Sequence, residues 1–103
     1  MTRVEYLPGA RQDFDESFDW YARRSGVAAE RFLAAVSASL IRIAEHPEQF
    51  ARVDSRHREC LVKRFPFRLV YRVEADRILV VAVAHAKRRP GFWRRRERDA
   101  GSV

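Results

Sequence analysis

The side chains with most chemistry to offer lie in the second half of the chain: Lys63, Arg68, His85 and Arg88, and the run Lys87 to Arg96, which reads Lys-Arg-Arg-Pro-Gly-Phe-Trp-Arg-Arg-Arg. A Lys, an Arg and a His gathered on one surface are what cleavage of a phosphodiester would use. Cations hold the phosphate oxygens and stabilise the charge that develops in the transition state, and a group titrating near neutral pH moves the proton. Arg68 suits the clamp and His85 the proton transfer, with Lys63 and Arg88 as further cations. The run itself holds the cations Lys87, Arg88, Arg89, Arg94, Arg95 and Arg96, no carboxylate, and the rings of Phe92 and Trp93. A solvated surface normally mixes charge signs, so a single-sign cluster with aromatic rings inside it points to an anionic partner such as nucleic acid. The bland alternatives are a soluble tail, and Arg68 and Arg72 as outward-facing strand residues paired with Glu59 or Glu74.

The basicity belongs to one half of the chain. Residues 1–51 carry 6 Arg against 8 Asp and Glu, a net of −2, and residues 52–103 carry 15 Lys and Arg against 6 Asp and Glu, a net of +9, together the chain's +7. Cys60 is the single cysteine, so it has no internal disulfide partner, and His46, His57 and His85 show no metal-ligand spacing with it. No metal or cofactor is expected, and Cys60, His46 and His57 read as structural or solvent-exposed. The longest apolar run, Ile78 to Ala84, is far short of the roughly 20 residues of a membrane helix. The opening Thr2-Arg3-Val4-Glu5 is no apolar signal segment, so the expected location is the cytoplasm with no membrane contact.

The elements that would position these groups follow from periodicity. A chain of 103 residues with 47% apolar content fits one domain over 1–103, with a basic C-terminal segment from about residue 87. Val4 and Tyr6 flank Glu5 in a short first strand that Pro8 and Gly9 end, at a sheet edge or paired with a later strand. Ala10, Phe14, Phe18 and Tyr21 then recur at helical spacing, with Asp13, Asp15, Glu16 and Asp19 mostly on the opposite face, giving a helix to about Arg24. Ser25 and Gly26 break it. A second stripe at Phe32, Val36, Leu40 and Ile43 runs over Ala28 to Glu45 and stops before Pro47, so the two helices form an antiparallel hairpin.

After a polar loop the period changes to two. Glu59 to Phe65, Phe67 to Glu74 and Arg77 to His85 read as strands, with tight turns at Ala75-Asp76 and Phe65-Pro66. The fold class is α+β in the order β-α-α-β-β-β, a helical hairpin packed on one face of a mainly antiparallel four-stranded sheet. Counting from the two turns places Lys63 opposite Arg68 and Arg68 opposite Val83, one diagonal step from His85. Lys63, Arg68 and His85 then share the open face. Phe67, Leu69, Tyr71, Val73, Ile78, Val80, Ala82 and Ala84, with Val62, take the face under the helices.

Three stretches carry a family resemblance: Phe65-Pro66-Phe67-Arg68-Leu69-Val70-Tyr71-Arg72-Val73, Asp76-Arg77-Ile78-Leu79-Val80-Val81-Ala82-Val83-Ala84-His85, and Arg88-Arg89-Pro90-Gly91-Phe92-Trp93. With the opening strand, the hairpin containing Phe14, the Glu45-His46-Pro47 helix end and the Arg-rich strand after it, the chain resembles the toxins of the RelE/ParE superfamily of type II toxin-antitoxin systems. The resemblance implies a small toxin that inhibits growth and is held inactive by a cognate antitoxin. RelE-like members cleave messenger RNA on the ribosome with cations on the central strands; carried over, those positions are Lys63, Arg68 and Arg88 or Arg89, with His85 nearby. Phe92 and Trp93 stand where such members carry an aromatic hydroxyl, and neither ring transfers a proton. ParE-like members have no nuclease centre and act on DNA gyrase. The antitoxin is expected over Phe14, Phe18 and Trp20, with carboxylates near Arg68 and Arg88. A reading from a different class is a basic nucleic-acid-binding module with no toxicity.

Overall fold

The computed structural model describes residues 2–101. A three-residue strand, β1 (Val4–Tyr6), leads directly into helix α1 (Pro8–Ala22). Pro8 therefore opens the helix as well as closing the strand: its fixed φ and missing N–H suit the first helical turn, where the N–H has no partner anyway. Arg23 and Arg24 make the turn, and Ser25 caps the next helix, α2 (Gly26–Glu45), its Oγ accepting the N–H of Ala28 at 3.2 Å. The expected break at Ser25-Gly26 is thus the start of α2. Helix α2 buries Ala29, Phe32, Val36, Ser39 and Ile43, while Leu40 of the predicted stripe is half-buried. Ser39 is accommodated because its hydroxyl donates to the Ala35 carbonyl at 3.0 Å.

Four further strands follow: β2 (Ala51–Arg52), β3 (Arg58–Leu61), β4 (Phe67–Val73) and β5 (Ile78–His85). The sheet has five strands in the order β1-β5-β4-β3-β2, one more than expected, because two residues of the presumed polar loop pair with β3. β1 lies parallel to β5 at one edge, and every other pairing is antiparallel. The Ala75-Asp76 turn is as expected, with the Glu74 N–H donating to the Arg77 carbonyl at 2.8 Å. The other corner is longer: Val62 donates to the Phe67 carbonyl, and Lys63 to Pro66 form the loop, with Arg64 at a left-handed φ of 70°.

One irregularity reorganises the sheet. Val73, Arg72 and Tyr71 face Ile78, Leu79 and Val80 as counted from the turn, but Val70 then faces Ala82, because a β-bulge at Val81 inserts an extra residue into β5. Beyond the bulge every side chain of β5 changes face. Ile78, Val80 and Val83 join Phe67, Leu69, Tyr71, Cys60 and Val62 under the helices. Ala82 and Ala84, expected there, lie on the outer face with Val70 and Val81. Val73, expected in the core, is 46% exposed at the end of its strand.

The outer face is also covered. After a turn through Gly91, whose φ of 74° suits a residue without a side chain, the chain returns as α3 (Arg94–Gly101), and Trp93 is buried against Val70, Val81, Ala82 and Ala84. The arginine-rich end is a helix lying against the sheet, where a soluble tail was one expectation.

Candidate functional site

The bulge separates the residues expected to act together. His85 pairs with Phe67 and turns its ring edge-on to Phe67 at 5.0 Å, while Arg68 pairs with Ala84 on the outer face. The His85 ring also accepts the Lys87 N–H on Nδ1 at 3.0 Å, so one nitrogen is occupied by the backbone. Lys63 lies in the exposed loop beyond β3, where Leu61 and not Lys63 stands opposite Arg68. The Lys63, Arg68 and His85 surface expected from the turn counts does not form: the longer corner leaves Lys63 in a loop, and the one-residue insertion in β5 inverts the parity of His85.

Two surfaces result, and His85 at the end of β5 borders both. On the outer face, Arg68, Arg88 and Arg89 line a cavity of about 170 Å³ with Glu59, His85, Phe92 and Trp93. Arg68 is committed to Glu59 at 3.2 Å, as the alternative pairing anticipated. Arg88 stacks its guanidinium over Phe92 at 3.9 Å, which holds the side chain without neutralising it. On the helix side, Trp20, Tyr21, Phe67, His85 and Lys87 line an open groove of about 460 Å³. Trp20 is 50% exposed, with the Arg24 guanidinium 3.6 Å above its ring. Phe14 and Phe18 are half-buried and stack into the core, Phe14 on Phe32 at 5.5 Å and on Phe18 at 5.9 Å. Both are less exposed than Trp20.

The run Lys87 to Arg96 is likewise divided. Trp93, only 3% exposed, packs at a tilt against the His57 ring at 4.6 Å and presents no face to a base. Arg94 pairs with Asp54 at 3.2 Å, and Arg96 grips Asp13 with two bonds of 2.7 Å. Lys87, Arg88, Arg89 and Arg95 are exposed and have no carboxylate partner among the described residues. They are the cations of the segment left for an external anion.

The anchoring groups were not singled out in the sequence. Asp13 lies on the buried face of α1, not the outer one, and its Oδ2 accepts the Val83 N–H at 3.0 Å, while Arg96 also donates to the Val81 carbonyl at 3.2 Å. Together they satisfy backbone groups at the bulge. Gly9 makes room for this, because a Cβ there would lie 2.7 Å from Arg96 Cδ. His57 is buried with its Nδ1 2.8 Å from Asp54 and its Nε2 2.5 Å from Glu97, and Glu97 in turn pairs with Arg72 at 3.1 Å. Burial opposes the charged form of Asp54, yet hydrogen bonds from the N–H groups of Arg56 and His57, from the His57 ring and from Arg94 outweigh it and hold this carboxyl well below the usual carboxylate range. A visible signal existed for Asp13, which falls three residues after Ala10 on the apolar stripe. None existed for His57 and Glu97, which meet only through tertiary structure.

Among the described residues no group of three or more His, Cys, Asp or Glu side chains is placed to hold a metal ion, and no helix is long and apolar enough to cross a membrane.

Residues 4–90 match the family described as "ParE toxin of type II toxin-antitoxin system, parDE". The chain belongs to the ParE toxin family. Solved structures share its fold, two of them as follows. One, titled "Chromosomal ParDE TA system from P. aeruginosa", is 19% identical with a TM-score of 0.60 and covers 82% of this chain and 96% of its own. The other, "The structure of YoeB dimer from Staphylococcus aureus", is 14% identical with a TM-score of 0.57 and covers 82% of this chain and 95% of its own. No curated protein matches the sequence. The ParE match ends at Pro90, so Gly91, Trp93 and α3, which seal the outer face, lie beyond the segment matched to the family.

Proposed function

We propose that this ParE-family toxin arrests growth in the cytoplasm by binding DNA gyrase rather than by cutting messenger RNA, and that a cognate antitoxin neutralises it. The observation that carries the reading is that neither Arg68 nor His85 is free to act on a phosphate: the bulge at Val81 turns the His85 ring onto Phe67 while Arg68 faces outward, and His85 meets the Arg68 cavity only at its border. Phosphodiester cleavage needs the charge clamp and the proton-transfer group within hydrogen-bond reach of one phosphate. Here Arg68 is paired with Glu59, one His85 nitrogen is held by the backbone, and Trp93 is a buried plug. What remains is a binding surface: the exposed cations Lys87, Arg88 and Arg89, and the Trp20 groove on the other side. An acidic antitoxin segment fits both, with apolar side chains beside Trp20 and carboxylates near Arg88.

The test assays both targets with the same purified protein. The expected result is blocked supercoiling or trapped cleaved DNA with gyrase, and intact messenger on programmed ribosomes. Arg68→Ala should leave growth arrest in place. Ribosome-dependent cleavage that falls by on the order of two to three powers of ten in Arg68→Ala would replace this reading with the nuclease one. Full growth on expression without the neighbouring gene would remove the toxin reading and leave the basic nucleic-acid-binding module.

A further inference from the structure

Where β2 and β3 meet the end of β4, a cavity of about 310 Å³ is lined by Arg52, Arg56, Arg58 and Arg72 together with Glu48 and Glu74. Their charge states of pairing differ. Arg72 is neutralised by Glu74 at 2.9 Å and Glu97 at 3.1 Å. Arg52 and Arg58 bond only to carbonyl oxygens, those of Ser55 at 3.4 Å and Phe50 at 2.8 Å. None of Arg52, Arg56 and Arg58 has a carboxylate partner among the described residues, a state they share with Lys87, Arg88, Arg89 and Arg95.

The strand register makes this unusual. Arg52 and Arg58 are direct cross-strand partners, and like charges set opposite each other in an antiparallel pair are destabilising. The protein alone carries a local repulsion that a bound anion relieves. The turn between them is already fixed, with Asp54 accepting the N–H groups of Arg56 and His57 at 2.9 and 2.8 Å, so little ordering is left for binding to impose.

We propose that this cavity is a phosphate site that receives the backbone of a nucleic acid. Three unpaired guanidinium groups match phosphate oxygens in geometry and charge. The aromatic rings lining it, Tyr71 and His57, are buried, so no platform exists on which a base could stack. Contact is therefore to phosphate and sugar, without sequence preference. Arg52 and Arg58 line this cavity while their neighbours Val53 and Glu59 line the one holding Arg88 and Arg89, so the β2–β3 hairpin stands between two cationic cavities. The inference rests on this cavity alone and holds whichever target the toxin has.

The experiment titrates the full chain with inorganic phosphate and, separately, with a mixed-sequence DNA duplex at constant ionic strength, following melting temperature and the arginine Nε–H signals by NMR. Phosphate should raise the melting temperature of the wild type and of Arg88→Gln/Arg89→Gln, and should not raise that of Arg52→Gln/Arg56→Gln. In that last variant duplex affinity should fall about tenfold, and the slope of log affinity against log salt should shrink by about 2, one for each lost phosphate contact. Both substituted side chains are exposed, so the variant should melt no lower than the wild type before any addition. Equal protection of all three proteins by phosphate would overturn the site. Lost phosphate protection with unchanged duplex affinity would overturn its assignment to nucleic acid.

Discussion

Under the helices the sheet is closed by rings: Phe32 is fully buried and its ring lies within 5.5 Å of Phe14, Tyr21, Phe65 and Phe67. On the outer face the sheet is closed by Trp93 with the half-buried Phe92 and Leu7, by the ion pairs that fasten α3 through Arg96 to Asp13, Arg94 to Asp54 and Glu97 to Arg72, and by the His57 ring set against Glu97. The first closure depends on buried area and shape, which are indifferent to salt and pH. The second depends on charges, and where the carboxylate is largely out of water, as at Asp13 and Glu97, the loss of its partner is disproportionate. The match to the family covers the first closure and stops at the start of the second.

The comparison is broken most severely at Phe32. Phe32→Ala should destabilise the whole molecule by about 4 kcal/mol in urea unfolding, because four neighbouring rings lose their common contact. Trp93→Ala should be smaller, about 3 kcal/mol, and local in character: amide exchange should accelerate in α3 and along Val81 to Ala84 while α2 stays protected. Arg96→Ala should remove about 2 kcal/mol, since it strands the buried Asp13 carboxylate. Combining it with Asp13→Ala should produce less than the sum of the two single losses, and a double-mutant cycle measures the difference.

The smallest effect is in acid. Asp54 has its carboxyl held below the ordinary 3.8 in the folded state, so its stabilising contribution is present above that pH and is lost as pH falls toward the folded value. Wild type should lose outer-face protection below about pH 4, before the helix side, and Asp54→Asn should show a flatter stability profile over the same range. A wild type whose two faces loosen together in acid would dissolve the distinction between them.

Much of the fold was legible, and particular residues show why. The stripe Phe32, Val36, Leu40, Ile43 has helical spacing, and Ala75-Asp76 between two alternating strands marks a hairpin; both signals are local in the chain. The bulge was not legible. Val80-Val81-Ala82-Val83-Ala84 is apolar at every position, so no polar marker shows which residue changes face, and the register counted from the turn carried straight through the insertion. The two-residue β2 is too short for any period to appear.

The candidate site suffered from that single slip, because the placement of Arg68 against His85 depended on parity through the bulge. The sequence by itself determined the order of β1, α1, α2, β3, β4 and β5, most of the helix-side core and the concentration of cations after residue 51, since spacing and composition are properties of neighbouring residues. Which cations remain free was decided only in three dimensions. Arg96 meets Asp13 across 83 positions and Arg94 meets Asp54 across 40, and such partners exist only once the sheet has brought α1, the β2–β3 turn and α3 together. A charge run has the same sequence whether its arginines are buried in pairs or face the solvent, because pairing is a matter of distance in space.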